Sequence, residues 1–114
     1  KPQAKAALTQ LAEILSGDDA KDRRLTIIGY TDSDAVRKAK TIAHLKDLGK
    51  PANNMGLSEA RAEAVAAVLR AGGVASRRMV TKGKGQADPV AGNSTAEGKA
   101  QNRRVEIYLT PMNG

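Results

Sequence analysis

The sequence predicts a single α/β domain, an α+β sandwich in which helices pack on one face of a small mixed β-sheet. Three observations predict it. Apolar residues recur at three- and four-residue steps over 56–71, which is typical of an amphipathic helix. A short β-branched run at 25–30 is typical of a buried strand, and strict alternation at 104–109 is typical of a strand with one buried face. The 114 residues suffice for one hydrophobic core, so residues 1–114 are expected to form one domain.

Composition and charge narrow the classes of function. The chain has no Phe, no Trp, two Tyr and no Cys, so its core must be aliphatic, and disulfides and thiolate metal sites are excluded. The formal net charge of +7 predicts attraction to polyanions: nucleic acid, anionic lipid or an acidic cell-wall polymer. The scarcity of aromatic residues weighs against single-stranded nucleic acid, whose bases usually stack on aromatic rings. A helix that reads a DNA groove remains an alternative.

The first elements lead to a carboxylate at a strand end. A helix is predicted over 1–16, ended by Gly17, and the strand 25–30 follows. That strand runs into Thr31 and Asp32, and ligands of open α/β sheets bind at the carboxyl ends of strands. The alternative for Asp32 is an ordinary turn residue, because Asp is common in turns.

A second helix is predicted at about 35–48, and Gly49 and Pro51 end it. Its single His44 is interpreted as an ordinary helix residue, since a ligand or base role needs partners that the sequence does not supply. The apolar stripe of this helix comprises Val36, Ala39, Ile42, Ala43, Leu45 and Leu48.

The third helix, 56–71, carries a candidate binding residue near its start. Ser58 is the predicted N-cap, which puts Arg61 in the first turn. Arg61 is then either a solvated surface residue or, together with unpaired amides of that turn, a receptor for a carboxylate. The predicted apolar face comprises Leu57, Ala60, Ala64, Val65, Val68 and Leu69.

The remaining elements are a strand at 79–82, a loop at 90–100 with one helical turn, and the last strand at 104–109. In that strand we expect the inward-facing residues to be Val105, Ile107 and Leu109. The loop 83–89 contains two glycines, but their spacing fits neither a Walker nor a dinucleotide-binding motif.

The chemical inventory favours binding over catalysis. One His, no Cys and no closely spaced pair of acids give no catalytic set, so no reaction, metal or cofactor is predicted. The suggestive residues are Asp32, Asn54, Arg61 and the run 102–104. An acid beside an arginine suits a zwitterionic amino-acid head, with one partner for the ammonium and one for the carboxylate.

These residues carry a family resemblance. G-x-T-D at 29–32, N-x-x-L-S-x-x-R-A at 54–62, the stretch 83–90 and N-R-R-V-E-I at 102–107 resemble four successive blocks of the OmpA-like C-terminal domain. The resemblance covers about residues 4–109, and four blocks in order make it specific. That family comprises outer-membrane proteins, lipoproteins and flagellar stator subunits that grip peptidoglycan.

The resemblance implies non-covalent binding of the diaminopimelate of the stem peptide. It implies that Asp32 meets the ammonium, that Arg61 meets the carboxylate, and that Asn54 shapes the pocket. Leu57 and Ser58 would offer backbone groups, and either Arg103 or Arg104 would contribute at the rim. The implied site comprises Thr31, Asp32, Asn54, Leu57, Ser58, Arg61, Arg103 and Arg104. The implied location is the periplasm of a Gram-negative bacterium.

Two departures from the family pattern stand out. The family usually begins with a strand ahead of its first helix. This chain begins at Lys1, almost inside a helix, so we expect a fragment of a longer envelope protein, tethered upstream to the outer or inner membrane. Either that strand precedes Lys1 or the sheet is one strand short.

The second departure is the interval from Asp32 to Asn54, which is longer than in most members of the family. The predicted helix 35–48 fills it. This helix could cover the pocket, dock a protein partner, or lie on the surface.

Overall fold

The computed structural model describes residues 2–18, 20 and 22–112, so Lys1, the first residue of the predicted helix 1–16, lies outside the described residues. A short 3-10 turn, Ser76–Arg78, precedes the second strand. The helices and strands, in chain order, are α1 (Pro2–Leu15), β1 (Arg23–Gly29), α2 (Ala39–Asp47), α3 (Asn54–Ala71), β2 (Met79–Gly83), α4 (Ala96–Asn102) and β3 (Val105–Pro111).

The sheet formed by the described residues has three strands in the order β2-β1-β3. The central strand β1 runs parallel to β2, with Leu25 opposite Met79, and antiparallel to β3, with Ile27 opposite Ile107. The main helix α3 packs over β1 and β2 and barely reaches β3. The predicted α/β fold with a small mixed sheet is confirmed.

The core lies between the sheet and helices α1 and α3. The approach of α3 to β1 is very close, because a Cβ added at Gly29 would lie 2.0 Å from the carbonyl oxygen of Ser58. This contact places the first turns of α3 above the carboxyl end of β1, which Asp32 follows. The buried residues of the core are Ala12, Leu15, Leu25, Ile27, Ala62, Ala66, Leu69 and Val74.

The buried face of α3 differs from the predicted one. Leu69 is buried as predicted, but Ala64 is exposed, whereas Ala62 and Ala66 are buried in the core. The close approach at Gly29 selects small residues for this face. In an alanine-rich helix, the hydrophobic period alone does not identify them.

The last strand also departs from its prediction at one end. Val105 and Ile107 pack against the core as predicted. Leu109, predicted to face inward, is 47% exposed because α3 hardly extends over β3.

The segment before α3 is only partly helical. Residues 35–38, predicted as helix, precede α2, and Lys38 has extended backbone angles. Of the predicted stripe only Leu45 is fully buried, while Val36 and Ile42 are partly buried and the other three residues are exposed. None of the described helices combines the length and the hydropathy that crossing a membrane requires.

Candidate ligand-binding cleft

An open cleft of about 920 Å³ lies at the carboxyl end of β1. The start of α3, the segment 33–38 with Thr41, and Arg103 just before β3 complete its walls. The two predicted site residues that do not line it are Ser58 and Arg104. The other six do: Thr31, Asp32, Asn54, Leu57, Arg61 and Arg103.

Asp32 is the acid at the base of the cleft. Its side chain is 11% exposed, and its Oδ2 accepts a hydrogen bond of 2.6 Å from Arg103 Nη1. Its Oδ1 accepts one of 3.0 Å from the backbone N–H of Asp34. Each carboxylate oxygen has a second acceptor position, so the group can still receive a ligand donor.

The surroundings of Asp32 favour its charged form. Burial raises the pKa of this carboxyl, but hydrogen bonds from Arg103 and from the Asp34 amide outweigh burial, assisted by the charges of Arg103 and Lys99. The pKa of Asp32 is therefore below its ordinary value, and the cleft holds a fixed negative charge at neutral pH.

Arg61 is the partly buried cation of the cleft. Its Nη1 donates a hydrogen bond of 2.9 Å to the carbonyl of Tyr30, just beyond β1. Among the described residues, the other N–H groups of Arg61 have no protein acceptor. In the same part of the chain, every fully buried side-chain nitrogen or oxygen has a hydrogen-bond partner, so these unpaired groups are not fully buried. The unpaired N–H groups are therefore accessible to a ligand. Burial lowers the pKa of Arg61, an effect that Asp32 opposes and Arg103 reinforces, but an arginine remains charged in proteins.

The predicted start of α3 is wrong, and this changes the setting of Arg61. The N-cap is Asn53, whose side chain accepts a hydrogen bond of 2.9 Å from the N–H of Gly56. Arg61 is therefore in the third turn, and the amides after Ser58 lie within the helix rather than at its end. Asn is as good an N-cap as Ser, so N-cap preference alone does not locate the start of this helix.

Ser58 has a structural role instead. It is fully buried, donates a hydrogen bond of 2.7 Å to the carbonyl of Met55, and accepts one of 2.9 Å from the N–H of Gly85. It thus joins α3 to the loop after β2. The carbonyl of Gly85 in turn accepts a hydrogen bond of 2.8 Å from the N–H of Thr31, which fixes the base of the cleft.

The two arginines before β3 lie in different environments. Arg103 lines the cleft, with its side chain 43% exposed. The guanidinium of Arg104 lies 3.8 Å from the centre of the Tyr30 ring, and its Nε is 2.6 Å from Glu106 Oε2. Arg103 is therefore the one of the pair that lies at the rim, while Arg104 covers the outer face of the sheet.

Thr31 and Asn54 contact the backbone of Asp32. The Thr31 hydroxyl donates a hydrogen bond of 2.8 Å to the Asp32 carbonyl. The Asn54 side-chain amide donates a longer one of 3.4 Å to the same oxygen. Both side chains therefore help to position the acid.

Asn102 is a positioning residue whose role the sequence does not predict. It is fully buried, and its Oδ1 accepts hydrogen bonds from the N–H groups of Val90 and Ala91, at 2.8 and 3.0 Å. Its Nδ2 donates to the Ala91 carbonyl and to Asn93 Oδ1, both at 2.9 Å. These bonds fix the loop beside Arg103. Only the position of Asn102 within the N-R-R motif signals its importance, since hydrophobic patterns do not detect a buried amide.

A ligand set for a metal ion is absent from the described part of the chain. Within residues 2–18, 20 and 22–112, no group of three or more His, Cys, Asp or Glu side chains could hold an ion. His44 lies exposed on α2 and does not line the cleft.

Comparison with known proteins places the fold and the motifs in one family. A sequence model of the OmpA family matches residues 1–103. The probable lipoprotein YiaD of Escherichia coli K12 is 46% identical over 112 residues, which cover 98% of this chain and 44% of YiaD. The chain thus spans less than half the length of that relative.

The solved structures that share this fold include two at 29% and 30% identity to the chain. The peptidoglycan-associated lipoprotein from Burkholderia pseudomallei superposes with a TM-score of 0.73 at 30% identity, covering 96% of this chain and 80% of the other. The cell wall anchor of the T6SS from Pseudomonas aeruginosa gives a TM-score of 0.73 at 29% identity, covering 94% and 66%. The family match over most of the chain, together with these likenesses, shows that this chain belongs to the OmpA family.

Proposed function

We propose that this domain binds peptidoglycan through the diaminopimelate of the stem peptide and thereby anchors a cell-envelope protein to the cell wall. Membership of the OmpA family supports the proposal, as do the likenesses to a peptidoglycan-associated lipoprotein and to a cell wall anchor. The proposed action is binding without a chemical reaction.

The convergence of Asp32, Arg61 and Arg103 on one open cleft is the observation that carries the proposal. The free end of a diaminopimelate side chain bears an ammonium and a carboxylate on one carbon. Asp32 is held charged and has acceptor positions left for the ammonium. Arg61 offers unpaired N–H groups for the carboxylate, and charge-assisted bonds of this kind are among the stronger hydrogen bonds.

Thr31, Asn54 and Leu57 complete the proposed binding surface, because all three line the cleft beside Asp32 and Arg61. Thr31 and Asn54 act chiefly by holding the acid in place, since both donate to its backbone carbonyl.

Ser58 is not part of the proposed binding surface. Its hydroxyl is committed to Met55 and Gly85 within the fold, and it does not line the cleft. Of the two arginines before β3, Arg103 is the proposed rim residue, because Arg104 lies against the Tyr30 ring instead.

The nucleic-acid alternative receives no support from the family or from the names of the similar proteins. The cleft also mixes acids with bases, whereas a phosphate-binding surface would gain from uniform positive charge. The proposed location is the periplasm, with the parent protein tethered to a membrane by a part outside this sequence.

Sedimentation with purified diaminopimelate-containing sacculi tests the proposal. Asp32→Ala and Arg61→Ala should each release the folded domain into the supernatant, with circular dichroism confirming the fold. Arg24→Ala is the matched control for Arg61→Ala, since Arg24 is exposed at the opposite end of β1 and both substitutions lower the net charge by one. If both cleft variants sediment like the wild type, the proposed site is wrong.

A further inference from the structure

Residues 33–53, called the insertion, lie between Asp32 and Asn54 and form a wall of the cleft. Seven of the thirteen residues that line the cleft come from 33–41, between the end of β1 and the first turn of α2. These residues are not a separate surface feature, because they face the same space as Asp32 and Arg61. The insertion can therefore contact a ligand that those two residues hold.

The N-terminal end of this wall is attached to α4 and to the loop before α4. The N–H of Ser33 donates a hydrogen bond of 3.3 Å to Asn93 Oδ1. The next residue, Asp34, forms an ion pair of 3.2 Å with Lys99.

The other end of the wall is attached to α3. Helix α2 buries Leu45 completely, and Lys50 forms an ion pair of 2.6 Å with Glu63 of α3. The intervening residues 35–38 are thus held beside the cleft by contacts on both sides.

Two cations of the wall have no partner among the described residues. Arg37 and Lys38 are exposed, line the cleft, and make no ion pair or side-chain hydrogen bond in the described part of the chain. The acids of the cleft are already paired, Asp32 with Arg103 and Asp34 with Lys99. In the described part of the chain, neither acid forms an ion pair with Arg37 or Lys38.

The cleft has more positive charges than a zwitterionic ligand requires. Its lining contains two acids and four bases, a surplus of two positive charges. The ammonium and carboxylate of a diaminopimelate end carry no net charge and would engage one acid and one guanidinium. The cations on the wall remain available for another anionic group of the same ligand.

We propose that Arg37 and Lys38 form a second subsite that binds another carboxylate of the stem peptide, an inference that rests on the proposed function. A stem peptide offers two such groups outside diaminopimelate: the α-carboxylate of D-glutamate and the carboxylate of its C-terminal D-alanine. Both present the same chemistry to a cation, and each can be converted to an amide without changing the peptide's shape appreciably.

Calorimetry with N-acetylated L-Ala-γ-D-Glu-diaminopimelate-D-Ala and its two single amides tests the subsite. For the wild-type domain, amidation at one of the two positions should weaken binding about three- to tenfold, as expected for partly solvated charge pairs. The position that matters identifies the carboxylate. The double variant Arg37→Gln/Lys38→Gln should bind the unmodified peptide as weakly as the wild type binds that amide, and should be insensitive to the amidation.

The matched control is Lys40→Gln/Lys46→Gln, which removes the same charge from exposed positions of the insertion that do not line the cleft. This variant should bind like the wild type. Equal affinity of the wild type for all three peptides, or unchanged binding by the Arg37/Lys38 variant, would overturn the subsite and leave the proposed function standing. Failure of the wild type to bind any of the peptides would contradict the proposed function, and the subsite with it.

Discussion

Arg103 Nη1 lies 2.6 Å from Asp32 Oδ2, so the acid proposed to receive a ligand ammonium is already paired in the free domain. The pair joins the end of β1 to the start of β3 across 71 residues of sequence. Because the Arg103 side chain is 43% exposed, it can move aside or share the carboxylate when a ligand ammonium arrives.

The pairing of Asp32 predicts a loss of stability in acid. Its folded-state pKa is lower than the ordinary value of 3.8, so the unfolded state binds more protons in the window between the two values. The stabilisation is therefore complete above about pH 3.8 and is lost as the pH falls through the folded-state pKa. With a partly exposed partner, we expect a contribution of about 0.5–1 kcal/mol.

Urea unfolding at pH 6 and at pH 2.5 should therefore show a smaller acid destabilisation for Asp32→Asn than for the wild type. Glu106 also has a lowered pKa, caused by hydrogen bonds from Tyr108 and Arg104. Protonation of Glu106 in acid therefore destabilises the wild type and Asp32→Asn alike. The difference between the two proteins consequently isolates Asp32. An identical pH dependence would mean that the ion pair contributes nothing to folding.

Diaminopimelate peptides should bind more tightly than the corresponding lysine peptides. Both ligands offer the ammonium to Asp32, but only diaminopimelate adds the carboxylate assigned to Arg61. A lysine peptide leaves the partly buried guanidinium without that acceptor, and an unmade hydrogen bond in such a site costs about 1–3 kcal/mol. Calorimetry on matched muropeptides measures the difference.

Arg61→Gln supplies the control for that preference. This substitution should abolish most of the preference for diaminopimelate over lysine peptides. Residual binding should remain, because the ligand ammonium still contacts Asp32. Amidating the diaminopimelate carboxylate should weaken wild-type binding in the same direction. Equal affinity of the wild type for both peptide types would mean that Arg61 does not bind that carboxylate.

The fold class is predictable from the sequence because its signals are local. The apolar run at 25–30 and the alternation at 104–109 identify strands without knowledge of the rest of the chain. The buried face of α3 is only partly predictable, because alanine occupies both of its faces. Its true face is set by the close approach of Gly29 to the Ser58 carbonyl, a tertiary contact that a local pattern does not contain.

The candidate site is predictable as a set of residues but not in its detailed geometry. The motifs single out Asp32 and Arg61, and both line the cleft. The choice between Arg103 and Arg104 depends on the Tyr30 ring, which holds Arg104 on the other face of the sheet. Residues 35–38 of the cleft wall are predicted as helix from the sequence, because their apolar spacing continues that of α2.

Arg78 should be a major determinant of stability, although it does not line the cleft. Its side chain is buried and donates three hydrogen bonds to carbonyls, at 2.9 Å to Arg23, 2.6 Å to Leu15 and 2.6 Å to Ala20. Arg78→Met would leave these acceptors without their donor, at a cost of about 2–5 kcal/mol in the free energy of unfolding. Urea denaturation measures this loss.

The adjacent exposed residue provides the matched control. Arg77→Met makes the same substitution one position earlier, where the side chain is exposed, and should change the free energy of unfolding by less than about 0.5 kcal/mol. Similar losses for the two variants would show that the three hydrogen bonds of Arg78 do not stabilise the fold.

Replacing residues 34–50 by a short glycine-containing turn should preserve the fold and leave retention on sacculi weakened but not abolished. The buried core cluster contains no residue of this segment, and Asp32, Arg61 and Arg103 all lie outside it. The deletion removes the burial of Leu45, so we expect the free energy of unfolding to fall by about 1.5–3 kcal/mol while melting stays cooperative.

Calorimetric melting and sacculus sedimentation check the two parts of this prediction separately. Non-cooperative melting of the deletion variant would show that α2 belongs to the core, since its loss would then disrupt packing beyond Leu45. Cooperative melting with complete loss of retention would instead show that the cleft wall, and not the three charged residues alone, is required for binding. Cooperative melting with weakened retention is the expected result, because the deletion removes Arg37 and Lys38 and keeps Asp32 and Arg61.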